Sequence, residues 1–416
     1  MHEKLLTKLR GGETAVWLKS AKADFFDAEA ARADVAAAEI RWQRFAPALA
    51  RLFDTPGGLG RINSPLSEYP ASLPAPAPVY VKADHSLPIT ACVKARGGIF
   101  GLLCVIEKIA QDAGLLKEQE TYAILADEPA RRILAEHTVV VASTGNLGYS
   151  IGVAAIGFGM QAEVHMSDDA KEWKKARLRE LGATVVEHVG DYTSTVSSAR
   201  TSVAERDKTH FIDDENSWDL FVGYAGAGEE LAQQLKQANV DVSVEHPLVV
   251  YLPCGVGGAP GGITYGLKSI FGDAVVCVFV EPVNSACVFV ALACDGALKS
   301  VYDVGLSNNT EADGLAVSRA SELVLNKVGK QIDAVVAVPD KSMTDWVGKA
   351  WSNAALRLEP SATAGFAALE PFLQAIDADV TSNGTRPALK NIAQGTHVVW
   401  TTGGDLMPED IFQQFL

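Results

Sequence analysis

No CxxC pair occurs among the six cysteines of this 416-residue chain; Cys92, Cys104, Cys254, Cys277, Cys287 and Cys294 lie in apolar runs instead. That spacing excludes a zinc ribbon or a disulfide scaffold and leaves reduced core thiols of a cytoplasmic protein. Long apolar stretches are also missing. The longest near the middle, Ala286–Cys294, is stopped by Asp295 after nine residues, far short of the ~20 that a membrane span requires. The N-terminus, MHEKLLTKLR, alternates charge with leucine, which predicts an amphipathic helix and not a secretory signal. Positive charge is in deficit. A net charge of −15 with no basic patch argues against a nucleic-acid or membrane-surface partner. The most basic run, Lys171–Arg179 (KEWKKARLR), spaces its charges like the solvated face of a helix, with Trp173, Ala176 and Leu178 turned inward. No internal repeat and no metal-ligand cluster stands out.

What is present is a large apolar budget: 48% hydrophobic residues over 416 positions bury a sizeable core and predict two or three domains. Alanine-rich Asp27–Phe53 has helical spacing, and Pro65–Pro78, with five prolines in fourteen residues, must run extended. From Thr138 onward, short apolar strands such as TVVVA alternate with helical segments, which predicts parallel sheet with helices on both faces. A second such series runs from Leu248 to Thr401, and Asp377–Asn391 reads as a surface loop. The fold class expected is α/β, two open parallel-sheet domains. Their expected extents are a lead-in over 1–78, a smaller domain over 115–240, and a larger discontinuous domain of 79–114 plus 241–416.

Four stretches carry chemistry. Lys94, in TACVKARGG, is set among Ala91, Cys92, Val93 and Ala95. Apolar surroundings lower an amine's pKa and leave it a nucleophile for a Schiff base, although a snorkelling helix lysine has the same flanks. Ser143-Thr144-Gly145-Asn146-Leu147-Gly148 follows a buried strand, where ligands bind in an open α/β sheet; it suits a carboxylate or a phenolic oxygen, and equally a plain N-cap. Cys254–Gly262 has five glycines in eight residues from Gly255, a backbone nest for a phosphate dianion. Glu281, one strand later, also permits a dinucleotide reading, but Pro260 stands where G-x-G-x-x-G needs glycine and no Walker lysine follows. Thr401 and Thr402 precede Gly403-Gly404 and offer a hydroxyl to a ring nitrogen. Asp213-Asp214-Glu215 is the densest acidic cluster near a strand end. One cofactor uses an amine, a phosphate nest, a phenolic-oxygen donor and a ring-nitrogen partner together: pyridoxal phosphate.

In order, TACVKARGG, STGNLG, CGVGG, ADGLAV at Ala312, LEPSA at Leu358 and TGG at Thr402 resemble the tryptophan-synthase-β-like (fold type II) pyridoxal-phosphate enzymes over nearly the whole chain. The longer strings HMSDDAKEWKK, FIDDENS and YLPCGVGG resemble the bacterial D-serine dehydratase branch. Ala259 departs from the glycine that relatives carry. The resemblance implies a cofactor in the cleft between the two domains and elimination of the β-hydroxyl of D-serine, with D-threonine a second candidate. It implies Lys94 as the Schiff-base lysine, Asn146 on the ring oxygen, and Gly255, Val256, Gly257 and Gly258 around the phosphate. Thr402 would face the pyridine nitrogen, and Ser143, Thr144 and Gly145 would hold the substrate carboxylate. Lys94, Thr144 and Asp214 are the candidates for proton transfer. A monovalent cation, and monomer or dimer, stay open. The competing readings are another fold type II lyase such as an L-serine/threonine dehydratase, a nicotinamide-dependent dehydrogenase using Gly255 and Glu281, and a non-catalytic binding module.

Overall fold

The computed structural model describes residues 2–19, 25–75, 77–116, 121–143, 145–168, 170–190, 192–379 and 387–416. Eleven strands form two sheets: β1 (Ala15–Leu18), β2 (Leu66–Glu68), β3 (Val79–Ala83), β4 (Thr138–Ala142), β5 (Gln161–Ser167), β6 (Thr184–His188), β7 (Thr209–Ile212), β8 (Leu248–Pro253), β9 (Val275–Pro282), β10 (Ala334–Val338) and β11 (Thr396–Thr401). The larger sheet has the order β1-β10-β9-β8-β11-β3-β2 and the smaller β6-β5-β4-β7. The smaller sheet is parallel throughout. In the larger one β10 to β3 are parallel, while β1 and β2 pair antiparallel at the two edges. The two parallel-sheet domains are the α/β class expected, and the two antiparallel edge strands are added to it. The lead-in supplies the difference, since a chain arriving from outside the alternating units can close an edge in either direction.

Continuous apolar runs become strands because both faces are covered. On β8, Val249 and Tyr251 join one buried cluster with Phe366 and Phe372, while Val250 and Leu252 join another with Ile263 and Leu267. The helix Ala28–Leu52 starts at Asp27, whose side chain accepts from Ala30 N–H, and accommodates Pro47. Among the described residues no helix is long and apolar enough to cross a membrane. Cys92, Cys104, Cys254, Cys287 and Cys294 are free thiols.

Three expectations change on the structure. The 79–114 stretch divides at Lys94: β3 lies in the larger sheet beside β11, whereas the helix Phe100–Asp112 and the turn before it pack against Leu147, Ile151, Ile212 and Leu220 on the side of the smaller sheet. The KEWKKARLR run is not a solvated face. Lys174 and Lys175 are buried, because carboxylates from distant segments meet them: Asp313 and Glu359 at Lys174, Glu187 at Lys175. The Asp377–Asn391 loop is helical where described, to Asp379 and again over Pro387–Lys390 with Ala388 and Leu389 buried; 380–386 lie outside the described residues.

Two buried histidines make the fold sensitive to acid. His85 Nδ1 lies 2.7 Å from Thr401 Oγ1, and His397 Nδ1 lies 2.9 Å from Tyr251 Oη. Burial holds both pKa values down at about 4, against an opposing pull from Asp84 at His85. Unfolded histidine titrates near 6.5. The unfolded chain therefore binds protons that the folded one refuses, so stability is complete above about pH 7 and falls between about pH 6.5 and 4, by roughly 3 kcal/mol for each histidine. Chemical denaturation at about pH 7 and about pH 4.5 measures this, and His397→Phe should remove its share of the pH dependence. Equal midpoints at the two pH values would contradict the assignment.

Candidate active site

Lys94 stands where the chain crosses from one sheet to the other. After β3, the approach to it is strained, with Ile89 at φ 77° and Ala91 at φ 46°. Immediately after it, Ala95–Ile99 forms a π-helical turn, a local widening common at functional sites. That turn is anchored by a buried ion cluster. Arg96 donates to both oxygens of Asp84 at 2.7 and 2.8 Å and to Glu230 at 2.7 Å. Trp400 Nε1 donates to Asp84 at 2.8 Å, and Lys82 completes the cluster on Glu230. Burial alone would raise the Asp84 pKa, but Arg96 outweighs it and holds the carboxyl below its usual range. Lys82 is pulled down to about 8, chiefly by burial and by Arg96. Gly97 is required here: a Cβ would sit 2.2 Å from the Tyr224 ring.

The Lys94 amine faces a carboxylate and not the apolar shell that its sequence neighbours suggest. Its Nζ lies 2.9 Å from Asp214 Oδ2, and the second Asp214 oxygen is buried with no hydrogen-bond partner. Apolar flanks fail as a guide because, although Val93 lines the same cleft, the segment that follows β7 delivers Asp214 to the amine from the other sheet. The cleft around the pair is lined by Asn146, Gly255, Gly257, Thr402 and Tyr192, among others. Ser143, Val256 and Gly258 line it too. Thr144 lies outside the described residues.

The glycine segment ends β8 and opens the helix Gly258–Phe271. Gly257 caps that helix at φ 104° with no side-chain hydrogen bond, so the first N–H groups face the cleft without an acceptor from the chain. Pro260, which broke the dinucleotide pattern, occupies the first turn, where its missing N–H costs nothing. This cradle, together with the orphaned Asp214 oxygen and the Lys94 amine, fits a phosphorylated aldehyde with an aromatic ring. Glu281 does not take part. It is buried beneath the helix Cys287–Ala293, accepts from Val288 and Phe289 N–H at 2.8 Å each, and burial pushes its carboxyl up to about 8. The ribose contact of a dehydrogenase is thereby absent.

Ser143 Oγ accepts from the N–H groups of Gly145 and Gly148, both at 2.9 Å. Ser143 thus holds the start of the helix Asn146–Phe158 from two residues before its N-cap, Gly145, whose N–H points to the serine oxygen. Thr402 is half-buried in the cleft, and its carbonyl accepts from Val93 N–H at 2.9 Å. Thr401 is excluded as a ring partner, since its hydroxyl is engaged by His85 and by the Lys82 carbonyl. Sequence reasoning missed Tyr192, whose buried hydroxyl has no partner and whose pKa is driven far up by burial and then by Asp214. It also missed the role of Glu359, which accepts from Asn146 Nδ2 at 2.7 Å. No local signal marks Tyr192, whereas Glu359 lies within the LEPSA string, which pointed to the segment but not to the residue's role.

Fold and site together define a two-sheet α/β enzyme with a lysine and a phosphate cradle in one cleft. The family model for pyridoxal-phosphate dependent enzymes matches residues 59–384, and the chain belongs to that family; its cofactor is pyridoxal phosphate. Among curated relatives, a probable D-serine dehydratase of Sinorhizobium medicae is 44% identical over 389 residues, covering 91% of this chain and 88% of that one. Another from Rhizobium etli is 42% identical, covering 97% and 93%. Among solved structures, the holo diaminopropionate ammonia lyase of Escherichia coli superposes with a TM-score of 0.74 at 16% identity, covering 97% and 96%, a likeness of fold.

Proposed function

We propose that this chain is a lyase that dehydrates D-serine, releasing pyruvate and ammonia, with D-threonine as a slower substrate. The observation that carries it is the single cleft joining the Lys94–Asp214 pair to the Gly255–Gly258 cradle, Asn146 and Thr402. The configuration of the substrate rests on the relatives named above. Pyridoxal phosphate, when bound, supplies an aldehyde for amines and a ring that draws electron density from the substrate Cα.

The chain's own groups do the remainder. Lys94 presents the amine, and Asp214 at 2.9 Å is placed to hold a proton on it or take one from it. Gly255, Val256, Gly257 and Gly258 would receive the phosphate on backbone N–H groups at a helix start. Asn146 would donate to the ring oxygen. The Thr402 hydroxyl would face the pyridine nitrogen, where a hydroxyl would not hold a proton as a carboxylate does. Ser143, Thr144 and the Gly145 backbone would hold the substrate carboxylate, with Thr144 also a candidate to serve the leaving hydroxyl. In this reading the smaller sheet and its helices form one domain and the larger sheet the other. Free thiols and the charge balance agree with a cytoplasmic enzyme.

The test is pyruvate release from each serine enantiomer by the purified holoenzyme. D-serine should be turned over and L-serine should be at least ~100-fold slower, since a pocket built on one Cα configuration misplaces the proton of the other. Preference for L-serine would move the chain to the L-dehydratases, and no pyruvate from either would refute the elimination.

A further inference from the structure

Four segments far apart in sequence meet beside Asn146. The helix Glu172–Leu181 brings Lys174, the turn Asp313–Leu315 brings Asp313, the LEPSA turn brings Glu359, and the end of β11 brings Gly403. Lys174 Nζ lies 2.8 Å from Asp313 Oδ2 and 3.6 Å from Glu359 Oε2. The Lys174 and Glu359 side chains are only 4% and 5% exposed. Burial disfavours the lysine's charge, but Asp313 and then Glu359 outweigh it and keep it protonated. The remaining Glu359 oxygen is 2.7 Å from Asn146 Nδ2. Space for this contact is reserved by Gly403, where a Cβ would come within 2.6 Å of Glu359 Oε1 and 3.4 Å of Asn146 Nδ2.

We infer that Glu359 is a positioning residue that fixes the direction of the Asn146 amide, with Lys174 as its buried counter-charge. An ionised carboxylate only accepts hydrogen bonds, so the Asn146 atom facing it is the NH2 group. A flipped amide would place Oδ1 against the carboxylate. With one N–H given to Glu359, the second N–H of the same nitrogen is left for the cleft that Asn146 shares with Lys94 and Thr402. A phenolic ring oxygen needs a donor there. Without Glu359, the two amide orientations differ little in energy, and one of them turns a lone pair toward that oxygen. The ion pair with Lys174 is what allows a carboxylate to be buried at this point, since an unpaired one would be neutralised. The inference depends on the reading that Asn146 donates to the ring oxygen.

The test is a double-mutant cycle read by pyridoxal-phosphate affinity and by the pH dependence of the bound cofactor's visible absorbance, both measured without substrate. Glu359→Met, which keeps length and removes the acceptor, should weaken cofactor binding about tenfold, the size of one charge-assisted hydrogen bond. It should also shift the pH at which the visible band changes. Glu359→Gln, which keeps an acceptor but not the charge, should bring the loss back to about threefold and the spectral shift partway to wild type. In an Asn146→Ala background, Glu359→Met should change the affinity less than about twofold, because the residue through which it acts is gone. Equal losses in both backgrounds would make Glu359 merely structural and overturn the inference while leaving the Asn146 reading intact. No loss in the wild-type background would overturn it as well. An Asn146→Ala protein with unchanged affinity and spectrum would overturn the Asn146 reading first, and the inference with it. If Glu359→Met does not fold, Glu359→Gln takes its place in the cycle with an expected loss of about threefold in the wild-type background and none in Asn146→Ala.

Discussion

Lys94→Ala is expected to abolish turnover, by roughly 10³-fold or more, and to eliminate borohydride-stable attachment of the cofactor to the protein. Among the described residues the amine has no substitute in the cleft: Lys174 is committed to Asp313 and Glu359, and Lys82 lies inside the Arg96 cluster. The substitution has a second effect that tests the geometry separately. Asp214 is 8% exposed and has one oxygen without a partner already, so removal of Lys94 orphans the other. A loss of about 1–3 kcal/mol in stability should follow. Lys94→Ala with Asp214→Asn should recover that stability without recovering turnover. Peptide mass analysis after borohydride reduction locates the attachment; cofactor mass on any peptide lacking residue 94 would overthrow the assignment.

Gly257→Val should weaken pyridoxal-phosphate binding by about 100-fold. Gly257 holds φ 104°, and a Cβ would lie 3.2 Å from Val324 Cγ1. A β-branched residue in that conformation costs on the order of 1–3 kcal/mol, and relaxation of the strain would rotate the N–H groups of Gly257 and Gly258 away from the phosphate. The prediction is specific to the holo state. Melting of the cofactor-free variant should stay near wild type, while the rise in melting temperature on adding cofactor should largely vanish. Unchanged affinity would return this loop to a packing role.

The parts of the molecule legible in the sequence are those whose causes are local. Thr138–Ala142 and Ala334–Val338 read as buried strands because all positions but Thr138 are apolar, and both have those limits in the structure. STGNLG and CGVGG were legible as turns because glycine and hydroxyl residues follow such strands directly. What stayed hidden depends on distant partners. β1, four residues long, is a strand because β10 lies beside it, and β7 carries a histidine and a threonine that spoil its pattern. Lys174 and Lys175 have the composition of a wet helix face and are buried only because Asp313, Glu359 and Glu187 arrive from elsewhere. Lys94 was legible as the centre, while its pairing with Asp214 was not, since 120 residues separate them.

The position of β11 governs how the enzyme comes into being. Among the described strands it comes latest in chain order, yet it lies between β8 and β3, carries the tryptophan that holds Asp84 and leads directly to Thr402. A ribosome-bound chain that has already extruded Lys94, the glycine cradle and Asp214 still has a gap in the middle of its larger sheet. Such connectivity is slow to close, because a long loop must be gathered before the pairing stabilises anything. A chain shortened before Thr396 would leave β3 and β8 unpaired across that gap, would lack Thr402, and would expose strand edges that favour aggregation.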